Sequence, residues 1–404
     1  MKKLYKVSIF FFLIWLMFFC TFILGKYPQE GILWLLEQLN HYLSTFMAHG
    51  LLYDFISSGM VTGVGSVLAF LPNILILFFF MYLFEESGYL THVAALLDNL
   101  MHKIGLHGNS VIPLLMGFGC NVPAILATRN IPEVKRRILT MVLIPFMSCS
   151  ARLPVLVLLV GTFFPQNPIL VIFGLYGLAI IMAIFTAILL DKFIFRMPVD
   201  LTPVRVLPLR KPKLKRVLIY TWHAGYEYLK KIGTVVLIAM MAIWFLSHFP
   251  KNNKTHTCYQ TVYECPVEKS FDNFQDGSYL ASFGRFIEPA LRPLGFDWKM
   301  SVCLTTGLAA KEFIVGTMAI LFNTCEEDMQ IGENLKSSGV FLPAVTLSFL
   351  VFAMLYMPCI ATIFTIKRES KSWGWALFSV GYSIALAWGA AFVVLKLVTL
   401  IYFL

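Results

Sequence analysis

The sequence predicts an all-α, polytopic integral membrane protein, with about seven spans and two re-entrant, broken hairpins arranged as two inverted repeats. Three observations lead there. The chain is 58% hydrophobic and only 13% charged, with a mean hydropathy of +0.77, whereas soluble domains are nearer half apolar and about a quarter charged. Apolar runs of about 20 residues, long enough to cross a hydrocarbon core about 30 Å thick, recur along its whole length. Two short segments, "FMSCSAR" (146–152) and "YMPCIAT" (356–362), share an aromatic residue, Met, Cys and Ala, with Cys149 opposite Cys359 and Ala151 opposite Ala361.

The first 58 residues hold a span at 6–24 and an external amphipathic segment. "MKKLYKVSIFFFLIWLMFFCTFILGKYPQ" starts basic but has no small-residue cleavage site after its apolar run, so it reads as a span rather than a cleaved signal peptide. Residues 59–190 form the first repeat, with spans at 59–84, 138–163 and 168–190 and an interrupted apolar segment at 108–130. A basic connector follows at 191–232. Residues 233–404 form the second repeat, with spans at 233–249, 341–366 and 373–403, an external loop at 250–298 and an interrupted segment at 300–322. If both interrupted segments enter and leave on one side, the spans alternate from a cytoplasmic N-terminus to an external C-terminus. The cytoplasmic segments then hold more than twice as many Lys and Arg as the longer external ones, as the positive-inside rule demands.

The net charge of +10 is therefore read through topology. "DKFIFRMPVDLTPVRVLPLRKPKLKRV" is a Pro-rich basic connector leading into a surface helix, "LIYTWHAGYEYLKK". Its charge suits anionic lipid headgroups or a cytoplasmic protein partner, and no nucleic-acid recognition motif accompanies it. The external loop carries Cys258 and Cys265, which close a local disulfide in an oxidising compartment or remain thiols.

Each repeat reads as span, hairpin, span, span, and the parity of the spans turns the second upside down relative to the first. Inverted repeats with broken helices near the bilayer midplane are a transporter architecture, with substrate held at the repeat interface.

Within "GFGCNVPAILATR" (117–129), Gly117 and Gly119 let the backbone leave helical geometry, and Pro123 fits the first turn of a new helix. Irregular backbone at membrane depth is tolerated only where it is buried in protein or lines a watery cavity. Cys120 and Asn121 are the side chains at that break; a kinked packing helix with a structural cysteine is the alternative. In "LIPFMSCSARLPV", Cys149 offers a soft ligand and Ser148 and Ser150 hard ones, while Arg152, costly inside a span, would neutralise a carboxylate or cap free carbonyls. In "TGLAAKEFIVGT", Lys311 and Glu312 are adjacent opposite charges that do not face each other on a helix, and Glu312 is the carboxylate expected to bind a cation or gate. Pro358 frees backbone carbonyls beside Cys359. Glu85, Glu86 and Asp98 are weaker candidates, readable as interfacial groups. Thiolates, a carboxylate, an amide oxygen and carbonyls form a mixed-softness set suited to a first-row transition ion rather than Mg²⁺ or Na⁺.

The eight histidines show no zinc spacing, and no phosphate-binding loop is present, so nucleotide hydrolysis by this chain is not expected. No permanently bound cofactor is expected either.

"EESGYLTHVAALLDNLMHKIGLHGNSVIPLLMGFGCNVPAILATRNI", "LIPFMSCSARLPV", "TGLAAKEFIVGT" and "LYMPCIATIFTIKRES" resemble the membrane core of the ferrous iron transport protein B (FeoB) family, with its two Gate motifs, from about residue 6 onward. The resemblance implies a multi-pass Fe²⁺ importer of a bacterial inner membrane. The membrane cysteines of that family, thought to line the iron path, fall on Cys120, Cys149 and Cys359, and its Gate carboxylate on Glu312. Family members usually begin with a cytoplasmic GTPase domain and carry one more C-terminal span, neither of which is in this sequence. GTP would then act only through a separate GTPase domain, with a small cytoplasmic accessory protein and a second copy of the chain as further candidate partners. The competing expectations are a Gate-fold carrier for a nucleoside or other small solute, and a non-transporting membrane scaffold.

Overall fold

The computed structural model describes residues 2–46, 61–195, 210–227, 234–249, 278–322 and 339–403, with a few isolated positions between them. Cys258 and Cys265 lie outside the described residues. Within them the chain is helical: α1 (Lys2–Phe46), α2 (Thr62–Glu86), α3 (Tyr89–Lys103), α4 (Val111–Gly117), α5 (Asn121–Ala127), α6 (Val134–Leu143), α7 (Leu153–Phe163), α8 (Pro168–Leu190), α9 (Leu214–Glu227), α10 (Thr234–His248), α11 (Tyr279–Leu291), α12 (Trp298–Thr306), α13 (Phe313–Leu321), α14 (Pro343–Leu355), α15 (Ile360–Ser370) and α16 (Trp373–Phe403).

Four stretches among the described residues are long and apolar enough to cross a membrane: 134–163, 168–195, 343–370 and 373–400. They overlay the spans expected at 138–163, 168–190, 341–366 and 373–403. The first and third are interrupted, and 67% and 72% of their apolar windows are buried inside the protein, against 22% and 17% for the two continuous helices. That ordering follows from the backbone: an interrupted helix cannot face lipid with unpaired peptide groups, whereas a continuous one can. Accordingly α8 and α16 expose Leu170, Phe173, Ile181, Leu377 and Leu397.

The other expected spans take different forms. The N-terminal helix does not stop near residue 24 but runs unbroken to Phe46, with Pro28 inside it; the proline removes only the bond to the carbonyl one turn back. Residues 71–86 of α2 and 91–103 of α3 form a pair bent by 86°, turning at Gly88, whose φ of 73° favours glycine. The apolar part of α10 is a shorter helix, 237–248.

The chain divides into two units, 1–149 with 180–237 and 361–376, and 150–179 with 238–360 and 377–404. It passes from one to the other inside both interruptions, after Cys149 and after Ile360. In the first unit α1 crosses α2 where Asn73 Nδ2 donates to Gln29 Oε1 at 3.0 Å. Helix α9 runs antiparallel on α2, with Arg216 bonding Glu86 at 2.9 Å, Tyr220 near Tyr82 at 5.8 Å between ring centres, and Gly225 admitting Leu75. The apolar centre around the first hairpin is Ala124, Ile125, Met141, Ile144, Ile366 and Ala376. In the second unit Phe296 is edge-on to Phe349 and Phe352, with ring centres 5.5 and 5.8 Å apart, the geometry aromatic quadrupoles favour.

Two stretches at a constant interval along the chain repeat the same local structure. Helices α3 and α11 begin at Tyr89 and Tyr279. They lead to left-handed glycines, Gly105 (φ 77°) and Gly295 (φ 79°). Capping residues follow: His107 accepts from Asn109 N and Asp297 from Met300 N. Each stretch then runs through a short helix to a break at Gly117 or Gly307 and a second short helix. These are the segments expected at 108–130 and 300–322.

Candidate functional site

In the first unit, α4 ends at Gly117 and the backbone turns through Phe118 and Gly119 before Cys120, extended at φ −152° and ψ 133°, caps α5. Neither Phe118 nor Gly119 continues the helix; their N–H groups fold back on the Leu115 and Met116 carbonyls. Pro123 sits in the first turn of α5, where a missing donor costs nothing. A Cβ on Gly117 would lie 2.8 Å from Met147 Cβ, and one on Gly119 would lie 3.0 Å from Leu77, so glycine is what lets the break press on the interrupted span.

That span loses helical geometry after Leu143: Ile144–Phe146 is a 3₁₀ turn, Met147 is extended at ψ 118°, and Ser150–Arg152 is a second 3₁₀ turn. Met147 and Ser148 are buried, and Cys149 is half-buried. Cys120 is also half-buried, and Asn121 is only 5% exposed. The Asn121 Oδ1 atom is buried with no hydrogen-bond partner among the described residues, a costly state for an amide oxygen unless something else binds it.

In the second unit the corresponding interruption, Tyr356–Cys359, follows α14. Here the protein answers the freed carbonyls with its own cations. Arg152, 3% exposed, donates through Nη1 to the Met354 carbonyl and through Nη2 to that of Tyr356 at 3.3 Å. Lys311, also 3% exposed, donates to the Met357 carbonyl at 2.9 Å and stands over the Tyr356 ring, 3.2 Å from its centre. The second hairpin is further tied to this break by Ile360 N donating to Leu308 O at 2.9 Å, and Gly307 leaves the space that Tyr356 Oη occupies. Glu312 is half-buried in the turn before α13, Pro358 is buried and Cys359 half-buried.

The expected site residues therefore fall into two sets. Cys120, Asn121, Ser148 and Cys149 belong to the first unit with Gly117, Gly119 and Pro123, and Ser150, Arg152, Lys311, Glu312, Pro358 and Cys359 to the second. Among the described residues no three His, Cys, Asp or Glu side chains gather as a metal-holding group, so any ion at these breaks would rely on carbonyl and amide oxygens as well. The second break is the less hospitable of the two. A divalent ion about 5 Å from a univalent cation is repelled by roughly 7 kcal/mol in an effective dielectric of about 20.

Sequence reasoning missed one cluster outright. Glu369, 8% exposed, accepts from Arg129 Nε at 2.8 Å, and its backbone carbonyl accepts from Arg137 Nη2 at 2.9 Å. It thus ties the end of the first hairpin to the end of α15. Arg129 and Arg137 read only as positive-inside charge, and nothing local in "KRESK" marks Glu369 as their partner. Two of the weaker candidates have side-chain partners, Asn130 for Glu85 and Arg216 for Glu86, while His102 bonds the backbone carbonyl of Asp98 at 2.8 Å.

A family model described as "Gate: Nucleoside recognition" matches residues 67–163 and 229–373. The Fe(2+) transport protein A/Fe(2+) transporter FeoB fusion protein of Porphyromonas gingivalis is 40% identical, over 96% of this chain and 49% of its own length. The Fe(2+) transporter FeoB of Campylobacter jejuni is 38% identical, over 97% of this chain and 63% of its own length. That of Methanocaldococcus jannaschii is 36% identical, over 94% and 55%. The chain thus spans about half to two thirds of the length of these relatives. No solved structure matches it.

Proposed function

Because the chain belongs to the Gate (nucleoside recognition) family and corresponds to the membrane core of FeoB proteins, we propose that it carries Fe²⁺ across a bacterial inner membrane, binding the ion where its membrane helices are broken. The observation that carries this reading is Asn121 Oδ1, buried and unpartnered among the described residues, beside Cys120 at a backbone break. An amide oxygen, thiolates and main-chain carbonyls suit a borderline divalent ion better than Mg²⁺ or Na⁺. Cys149 and Cys359 at the two interrupted spans, the hydroxyls of Ser148 and Ser150, and Glu312 at the second hairpin complete the candidate ligands. Gly117, Gly119, Pro123 and Pro358 shape the breaks. A thiol must lose its proton to bind, so the ion itself, by displacing that proton, sets the charge of the site.

The fusion of Fe(2+) transport protein A to the Porphyromonas relative supports a small accessory partner. The test is anaerobic ⁵⁵Fe²⁺ uptake into proteoliposomes containing the full chain. Wild type is expected to take up iron, with initial rates falling roughly 10–100-fold in Cys120→Ser, on the scale of ligand-shell losses in metal sites, and also falling in Glu312→Ala. Labelled nucleoside in the same vesicles tests the solute carrier, for which the breaks offer few polar side chains. A folded chain moving neither ligand would leave the scaffold.

A further inference from the structure

We propose that Lys311 is a built-in cation: its ammonium fills, in the second repeat, the seat that the first repeat leaves open for a metal ion at Asn121 and the Met147 carbonyl. The proposal rests on the reading of the chain as a cation carrier and assigns which break takes the ion.

The argument starts from position. The interval that relates Gly105 to Gly295 and Gly117 to Gly307 places Asn121 opposite Lys311 and Cys120 opposite Ala310. In the interrupted spans, "FMSCSAR" and "YMPCIAT" place Met147 opposite Met357 and Phe146 opposite Tyr356. The Gly117 break presses on Met147 as the Gly307 break presses on Tyr356. The same two pieces of backbone meet in each repeat.

What differs is the charge at the meeting point. A buried ammonium is tolerated only when it is matched, and Lys311 is matched by the Met357 carbonyl at 2.9 Å and the face of Tyr356 at 3.2 Å. A carbonyl oxygen and an aromatic face together make a receptor for a cation, and the protein supplies that cation on a tether. In the first repeat the tethered cation is missing: the shorter, neutral Asn121 stands in its place, with Oδ1 buried and unpartnered among the described residues. No Lys or Arg occurs in the first hairpin from Val111 to Thr128. By the same correspondence, the counterparts there are acceptors and soft donors: Asn121 Oδ1, the Met147 carbonyl opposite that of Met357, and the thiols of Cys120 and Cys149 in the same two breaks. Such a lining recruits a mobile cation where its counterpart has a covalent one, and it suits a borderline divalent ion.

The assignment predicts one ion per chain and a change of stoichiometry when the residues are exchanged. The probe is equilibrium binding of Mn²⁺, read by electron paramagnetic resonance, and of Fe²⁺ under anaerobic conditions, to the purified full chain in lipid nanodiscs. Wild type should hold about one ion. Lys311→Asn should hold about two, Lys311→Arg about one, and Asn121→Lys none while keeping the thermal midpoint of wild type. A folded Lys311→Asn that still binds a single ion, or an Asn121→Lys that keeps its ion, overturns the proposal. Should Lys311→Asn fail to fold, Asn121→Lys alone decides it. A wild-type chain that binds no ion overturns the open seat. If ions bind as described but no iron enters proteoliposomes, the transport reading falls and the seat assignment stands.

Discussion

At the first break, Gly117 makes room for Met147, an asparagine oxygen is left buried without a partner among the described residues, and no Lys or Arg occurs from Val111 to Thr128. At the second, Gly307 makes room for Tyr356, while Lys311 and Arg152 donate to the carbonyls of Met354, Tyr356 and Met357. Peptide groups released from a helix inside a membrane must bond to something. On the proposed reading, one architecture meets that demand in two ways, with a fixed cation or with an exchangeable one.

The largest effect is expected where the fixed cations are removed. Arg152 is 3% exposed and donates to two carbonyls. Hydrogen bonds from a charged donor are worth about 1.5–3 kcal/mol each, so Arg152→Leu should destabilise the protein by about 3 kcal/mol or more. Arg129 also makes an ion pair, but its side chain is 53% exposed and its partner Glu369 keeps Arg137 at 3.4 Å, so Arg129→Leu should cost less. Thermal unfolding in detergent ranks the two. A larger loss in Arg129→Leu than in Arg152→Leu would show that the second break is not held by its internal cation.

A smaller effect tests whether the two repeats are equivalent below their breaks. Gly105 and Gly295 share a left-handed φ, and a side chain there costs roughly 1–2 kcal/mol. A Cβ would also meet Asp191 at 2.5 Å in the first case and Val345 at 2.9 Å in the second. Gly105→Ala and Gly295→Ala should therefore lower the thermal midpoint by similar amounts. Gly161→Ala in α7, where nothing lies within 4 Å, should leave it unchanged or raise it. Opposite signs for the first two would break the equivalence.

Much of this fold was legible in the sequence, and the legible part is local. The second interrupted span declared itself through Pro358, and the broken segments at 108–130 and 300–322 through Gly117, Gly119, Pro123 and the charged pair at 311–312. All of these act on their own stretch of backbone. The short match between 146–152 and 356–362 was enough to suggest a repeat. The wider correspondence was hidden, because it survives mainly as backbone conformation at Gly105 and Gly295 rather than as side-chain identity. What spacing could not disclose was pairing at long range. Lys311 finds Met357, Arg152 finds Met354, and Arg129 finds Glu369, in each case across an intervening helix or more. The continuation of α1 to Phe46 was hidden for another reason: its hydropathy falls after residue 24, and helical conformation does not require hydropathy.

The finest comparison is between the two capping residues that launch the hairpins. His107 and Asp297 each accept a backbone N–H at the start of the following turn, yet only the second is a carboxylate. Burial pushes the Asp297 carboxyl above its usual range, against the lowering effect of the Met300 N–H and of Lys299. With a folded-state pKa above the unfolded one, ionisation works against folding. The penalty is complete above the folded pKa and vanishes as pH falls below the unfolded value near 4. Asp297→Asn keeps an oxygen acceptor at the cap and removes the charge, so near pH 7 it should match or exceed wild type in thermal midpoint. The gap should close as pH is lowered through the carboxylate range. Asp297→Ala, which removes the acceptor, should cost about 1 kcal/mol at low pH, where the carboxyl is neutral, and less near pH 7. An advantage of Asp297→Asn that grew on acidification would mean that the carboxylate is stabilised by its surroundings, and that the two caps differ in kind.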